Sequence, residues 1–144
     1  MQFSCETYIN LPREKVIHLF DNPENLGKWM EGLQSFDHIS GRQGYPGAKS
    51  RMVFNHEGRR LELIETILSR NLPEEFSGFY ETKGIINKVA NYFYEEGPER
   101  TRWVAENEFQ FSGLMNLMSI FIRSAFPKQT QKHMENFKNF AENS

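Results

Sequence analysis

At 144 residues, with seventeen Lys and Arg against nineteen Asp and Glu, the chain carries a formal charge of −2. That length suits one domain with its own core, and both signs of charge are scattered rather than gathered into a basic stripe, which excludes a surface built for nucleic acid or anionic lipid. Thirteen Phe against two Trp mean either a core built on Phe or a cavity lined with it.

A single cysteine, Cys5, excludes an internal disulfide and points to a reducing compartment. Met1 leads straight into an alternating pattern, without the basic and apolar regions of a secretory signal. The apolar run Leu114 to Phe126 is too short to cross a bilayer and is interrupted by Asn116 and Arg123. These features predict one cytoplasmic domain over residues 1–144 with no transmembrane segment.

Gln2 to Asn10 places Phe3, Cys5, Thr7 and Ile9 on one parity, the pattern of a half-buried strand. Pro12 suits the first turn of a helix whose inner face is Val16, Leu19 and Phe20. Asp21-Asn22-Pro23 breaks it, and Asn22 caps a second short helix ending near Trp29. Six strand-length runs follow, Leu33 to Ser40, Ala48 to Asn55, Arg59 to Ser69, Glu75 to Lys83, Ile85 to Tyr94 and Arg100 to Phe111. The turn residues between them predict antiparallel hairpins. Gly113 to Asn143 predicts one helix of about 45 Å. Its first half is apolar on nearly every side, and its second carries a stripe of Met134, Phe137, Phe140 and Ala141. Pro127 is expected to kink or break it, which would let the first half move as a lid.

Parity then suggests what faces inward. In the last strand Trp103, Ala105, Phe109 and Phe111 share a side with Asn107; in the fourth, Leu61, Leu63 and Ile67 share one with Glu65; in the third, Met52 and Phe54 share one with His56. Phe76, Gly78 and Tyr80 form a further set, whereas Ile85 to Tyr94 is apolar on both parities and its inner face stays open. A carboxylate among Leu61, Leu63 and Ile67 either has a ligand or partner, Arg51 or Arg60 among them, or turns out to water. Asn107 either orients a ligand or bonds a neighbouring side chain, and Tyr80, Tyr92 and Tyr94 each offer a hydroxyl on an apolar body. His56 is placed in a hairpin turn, exposed or acting as acid or base, while His18 and His133 are placed on polar helix faces. Met52, Met115, Met118 and Met134 suit an adaptable wall or plain core. No glycine-rich phosphate loop, G-x-S-x-G elbow or Cys/His cluster is present, so neither a cofactor nor a metal site is expected, and no catalytic residue is assigned.

The order strand, helix pair, six antiparallel strands and long terminal helix resembles the START-like helix-grip superfamily, also called SRPBCC, which includes polyketide cyclase and dehydrase-like and birch-pollen-allergen-like proteins. Asp21-Asn22-Pro23-Glu24-Asn25-Leu26-Gly27-Lys28-Trp29 resembles the segment such proteins carry through the helix pair, and Asn10-Leu11-Pro12 its lead-in. Glu65, eight residues before Pro73, is similar to an acidic residue that often precedes the strand-ending proline, usually by about seven. Gly113-Leu114-Met115, with Lys132 to Lys138 further on, is similar to the family's ending. The resemblance implies an α+β helix-grip fold, a seven-stranded antiparallel sheet around the terminal helix, and an apolar cavity between them. It implies a lipid, polyketide or aromatic molecule as partner, bound or carried, with Phe54, Leu63, Glu65, Tyr80, Trp103, Asn107, Met118 and Ile122 as lining. The alternatives are a cyclase or dehydratase-type enzyme, which needs two titratable groups converging in the cavity, and an interaction module or homodimer docking through Leu114 to Phe126 over a filled interior.

Overall fold

The structure is a computed structural model that describes residues 1–116 and 124–144. Strand β1 (Gln2–Ile9) is followed by α1 (Arg13–Phe20), a 3-10 turn (Pro23–Asn25) and the short α2 (Leu26–Trp29). Strands β2 (Leu33–Ser40), β3 (Lys49–His56), β4 (Arg59–Asn71), β5 (Glu75–Thr82), β6 (Ile85–Glu95) and β7 (Thr101–Phe111) come next, and α3 (Ala125–Glu142) closes the described chain. All strand pairs are antiparallel, in the order β1-β7-β6-β5-β4-β3-β2, so the first strand pairs with the last and the helix pair joins the two edges.

Local chemistry sets these turns. Between β3 and β4, Glu57 and Gly58 both take positive φ, 53° and 80°, as a two-residue hairpin turn requires. Gly84, at φ 79°, turns β5 into β6 under the Met115 side chain, where an added Cβ would meet Met115 Cγ at 2.7 Å. The Asn22 side chain accepts from the Glu24 N–H at 3.0 Å and starts the 3-10 turn. Register shifts near Leu68 in β4 and at two places in β2 are bulges, which bend strands and deepen the curl of the sheet.

Within that curl the core gathers at one end. Phe20, Trp29, Phe93, Trp103 and Phe137 form an aromatic cluster, with Phe20 5.0 Å from Phe93 and 5.6 Å from Trp103, and Phe137 5.2 Å from Trp29. Helix α3 supplies Met134, Phe137 and Ala141, all buried, at the spacing of one helical face; Phe140 is half-buried beside them under Lys28. The helix also covers edge strand β1. Gln131 donates to the Glu6 carbonyl at 2.9 Å, Lys138 to the Tyr8 carbonyl at 2.5 Å, and the Asn10 N–H donates to Glu142 at 2.7 Å.

Two expectations are corrected, and one face that the sequence left open is assigned. Helix α3 starts at Ala125, and Pro127 stands in its first turn, where a missing N–H leaves no intrahelical bond unmade, so the proline begins this helix and does not kink it. The run Leu114 to Phe126, expected to be enclosed, opens with Leu114 80 % exposed after a positive-φ Gly113, while Met115 and Phe126 are half-buried; residues 117–123, with Met118 and Ile122, lie outside the described residues. The inner face of β6 is the odd one, with Asn87, Val89, Asn91 and Phe93 turned in and Ile86 and Tyr94 turned out.

Candidate functional site

Between the inner face of the sheet, the helix pair and α3 lies a cavity of about 710 Å³. One end is closed by the aromatic cluster through Phe20, Trp29 and Trp103; α3 contributes Phe126, Gln129, Thr130, His133 and Met134 to the wall. Phe126 is held by stacking on Phe109 at 4.3 Å. Phe54, Leu63, Glu65, Tyr80, Trp103 and Asn107 all stand on this wall.

Pairing sorts the sheet residues into three cross-strand rows. Ile67, Gly78, Val89 and Asn107 are successive partners from β4 to β7; Ser50, Glu65, Tyr80, Asn87 and Phe109 are successive partners from β3 to β7. Met52 and Leu63 open the third row on β3 and β4, and Thr82 and Ile85 are opposed on β5 and β6. The middle row is therefore polar over four strands, with apolar side chains in both flanking rows.

Its centre is Glu65, directly opposite Tyr80. Burial raises the Glu65 carboxyl above the usual carboxylate range, and the Tyr80 hydroxyl, within hydrogen-bonding reach, opposes that in part. Tyr80 in turn is pushed well above the ordinary phenol value, by burial first and then by the Glu65 charge. Both side chains keep partial exposure, as groups facing a hollow do. The arginines named as partners for Glu65 go elsewhere: Arg51 and Arg60 both bind Glu62 on the outer face, at 2.9 and 3.3 Å. Tyr92 and Tyr94 also face outward and stack on each other, leaving Tyr80 as the one of the three tyrosines on the cavity.

Asn107 is committed within the protein. Its Nδ2 donates to the Ala105 carbonyl and its Oδ1 accepts from Asn87 Nδ2, each at 3.3 Å. Asn91, on the same face, accepts from Trp103 Nε1 at 3.0 Å and donates to the Phe76 carbonyl at 3.3 Å. His56 stacks on Phe54 with ring centroids 6.1 Å apart.

His133 corrects the sequence reading. It is on the cavity wall rather than on a polar helix face, half-buried and 2.9 Å from Gln129 Nε2. Burial, helped by the charge of nearby His56, lowers it to about 4, so its ring is neutral at physiological pH. The position one before Met134 and four before Phe137 puts it at the edge of the buried stripe, a signal available from spacing alone. Ser50 is likewise legible as a parity partner of Met52 and Phe54. At the rim, Arg70 Nη1 donates to Asp21 at 2.8 Å and to the Gly44 carbonyl at 3.1 Å, and its guanidinium lies 4.8 Å from the Tyr45 ring, joining the β2–β3 loop to the helix pair.

Among the described residues no group of three or more His, Cys, Asp or Glu is placed to hold a metal ion, and no helix is long and apolar enough to cross a membrane.

A curled seven-stranded antiparallel sheet, two short helices bridging its edges and a long helix over the hollow make an α+β helix-grip fold. No protein-family model and no curated protein matches the chain. Solved structures do. A conserved protein from Geobacillus kaustophilus superposes with a TM-score of 0.83 at 11% identity, over 100% of this chain and 97% of its own. The Zhui aromatase/cyclase from Streptomyces sp. R1128 gives 0.80 at 9% identity, over 99% and 93%. Ara h 8.0201 gives 0.78 at 14% identity, over 100% and 99%. At such identities the likeness is one of fold.

Proposed function

We propose that this protein binds an apolar small molecule in the cavity between its sheet and α3. The observation that carries the reading is a hollow of about 710 Å³, walled mainly by aromatic and aliphatic side chains and provided with a few polar groups on one row. Ligand sites have this size and make-up, whereas a filled interior is what an interaction module would need. Native mass spectrometry of the purified protein, followed by denaturing extraction, tests it. A co-purified hydrophobic compound, or stoichiometric uptake from a panel of lipids and aromatics, is the expected result; an empty protein that takes up none of the panel would overturn the reading.

A second reading rests on the Glu65–Tyr80 pair. Two titratable groups side by side on a cavity wall, with neutral His133 on α3, meet the requirement for proton transfer to or from a bound molecule. The likeness to an aromatase/cyclase agrees with cyclisation or dehydration chemistry. Conversion of a bound poly-ketone by the native chain, lost in Glu65→Gln without loss of binding, supports it; binding without turnover leaves carriage alone.

A further inference from the structure

The polar row says more about the occupant than the cavity's volume does, provided the cavity is a binding site as proposed above. Ser50, Glu65, Tyr80 and Asn87 come from four neighbouring strands and are exact register partners. Strands lie about 4.8 Å apart, so the row offers polar atoms at roughly that interval over about 14 Å, running across the sheet rather than along it. On either side the wall returns to Met52 and Leu63, or to Ile67, Gly78 and Val89. Glu65 and Tyr80 serve each other and the Asn87 Nδ2 serves Asn107, but a molecule with a single polar head would still leave two of the Ser50 hydroxyl, the second Glu65 oxygen and the Asn87 Oδ1 facing hydrocarbon, a costly arrangement.

The centre of the row is also hostile to negative charge. Glu65 is the acid there, with the Tyr80 hydroxyl against it; a ligand carboxylate brought to the same place meets a like charge or has to be protonated. Arg70 is the only lysine or arginine among the described lining residues, and both Asp21 and the Gly44 carbonyl already occupy it. His133, the other basic group described on the wall, is uncharged at neutral pH.

We propose that the cavity takes an uncharged apolar molecule carrying two or more hydroxyl or carbonyl oxygens along one edge. That edge lies on the Ser50–Glu65–Tyr80–Asn87 row, and an otherwise equal skeleton bearing a carboxylate is rejected. Hydroxyls donate to Glu65 and to Asn87 Oδ1, the Asn87 Nδ2 being taken by Asn107 and the Glu108 carbonyl, and carbonyls accept from Ser50, while the ring or chain behind them packs on the flanking rows.

Isothermal titration with one skeleton in four states tests this: naphthalene, 2-naphthol, 2,7-dihydroxynaphthalene and 2-naphthoate at pH 7.5. The diol is expected to bind about tenfold more tightly than naphthalene, with the naphthol between them, and the naphthoate about tenfold more weakly than the naphthol. Glu65→Gln, a near-isosteric change, is expected to remove most of the penalty on the naphthoate, and Glu65→Leu to remove the preference for the diol. Naphthoate binding as tightly as naphthol, or diol and naphthalene binding alike, overturns the inference while leaving a binding cavity in place. If none of the four binds and the broad panel also fails, the cavity is not a binding site and both readings fall. The ligand comparison within the unaltered protein decides the matter even if a variant does not fold.

Discussion

Replacing Phe137 and Phe20 by alanine, one at a time, tests whether the hollow beneath α3 is real, because two ways of reckoning their importance disagree. By aromatic neighbours Phe20 should matter more. It meets Trp29, Phe76, Phe93, Trp103 and Phe137, whereas Phe137 meets Phe20, Trp29, Trp103 and Phe140. At about 0.5–1.5 kcal/mol for each pair, Phe20 leads by one pair. Enclosure argues the reverse. Phe137 is wholly buried, so deleting its ring leaves a sealed void, and Phe→Ala costs about 3–5 kcal/mol in such sites. Phe20 is half-buried on the cavity wall, so part of its ring faces open space and the space vacated merges with a hollow that already exists. We therefore expect Phe137→Ala near the top of that range, about 5 kcal/mol, and Phe20→Ala about 3 kcal/mol. Urea unfolding followed by tryptophan fluorescence is well suited, since Trp29 and Trp103 both lie against the two rings. Should Phe137→Ala leave too little stability to measure, Phe137→Leu serves in its place. A cost for Phe20→Ala equal to or above that for Phe137→Ala would refute the reasoning and mean that the interior is packed solid.

Three other outcomes follow from the site. His133 has its folded value lowered to about 4 from an ordinary 6.5, so above 6.5 it contributes no pH dependence. As pH falls from 6.5 to 4 the unfolded chain gains a proton that the fold refuses, and up to about 3 kcal/mol of stability is lost. His133→Gln should flatten this part of a pH–stability profile, and an unchanged slope would place the ring in water. Glu65 is raised, so its sign is opposite: the folded state is penalised once pH climbs past the ordinary carboxylate value. Glu65→Gln should thus be more stable than the parent at pH 7 and lose that advantage in acid, and its Tyr80 should ionise at lower pH in an alkaline absorbance titration; a parent-like Tyr80 would separate the pair. Trp103→Phe strands the buried Asn91 oxygen, whereas the buried Trp29 N–H has no hydrogen-bond partner among the described residues. Trp103→Phe should cost about 1–3 kcal/mol more than Trp29→Phe in denaturant unfolding, and equal costs would deny the 3.0 Å bond any net value.

How far sequence reached into this molecule depended on whether burial and polarity agreed. β7 was legible because its inward set is apolar apart from Thr101 and Asn107, and its outward set, Val104 excepted, is polar. β6 was not, because Asn87 and Asn91 point inward while Ile86, Ala90, Tyr92 and Tyr94 point outward, so period-two alternation carries no sign there. The middle polar row went unseen for the same reason: it exists only once the register of four strands is known, and register is a nonlocal property. Glu65 was suspected from its neighbours, but its partner is the tyrosine across the next strand rather than an arginine, a choice set by which face each side chain shares. His133 was misplaced because a polar residue beside a buried stripe was assigned to the solvent side, when the stripe itself borders a hollow.

The pairing of β1 with β7, and of Asn10 with Glu142, fixes when this hollow comes into being. Gln2 meets Glu108, and the bond from Asn10 to α3 spans 132 positions, while β3 to β6 fold back on themselves through short hairpins. Contacts that distant carry a large chain-closure cost and form late. On a ribosome the hairpin ribbon can therefore be complete while the vessel still has neither floor nor stopper, so the hollow is closed only after synthesis has run through α3.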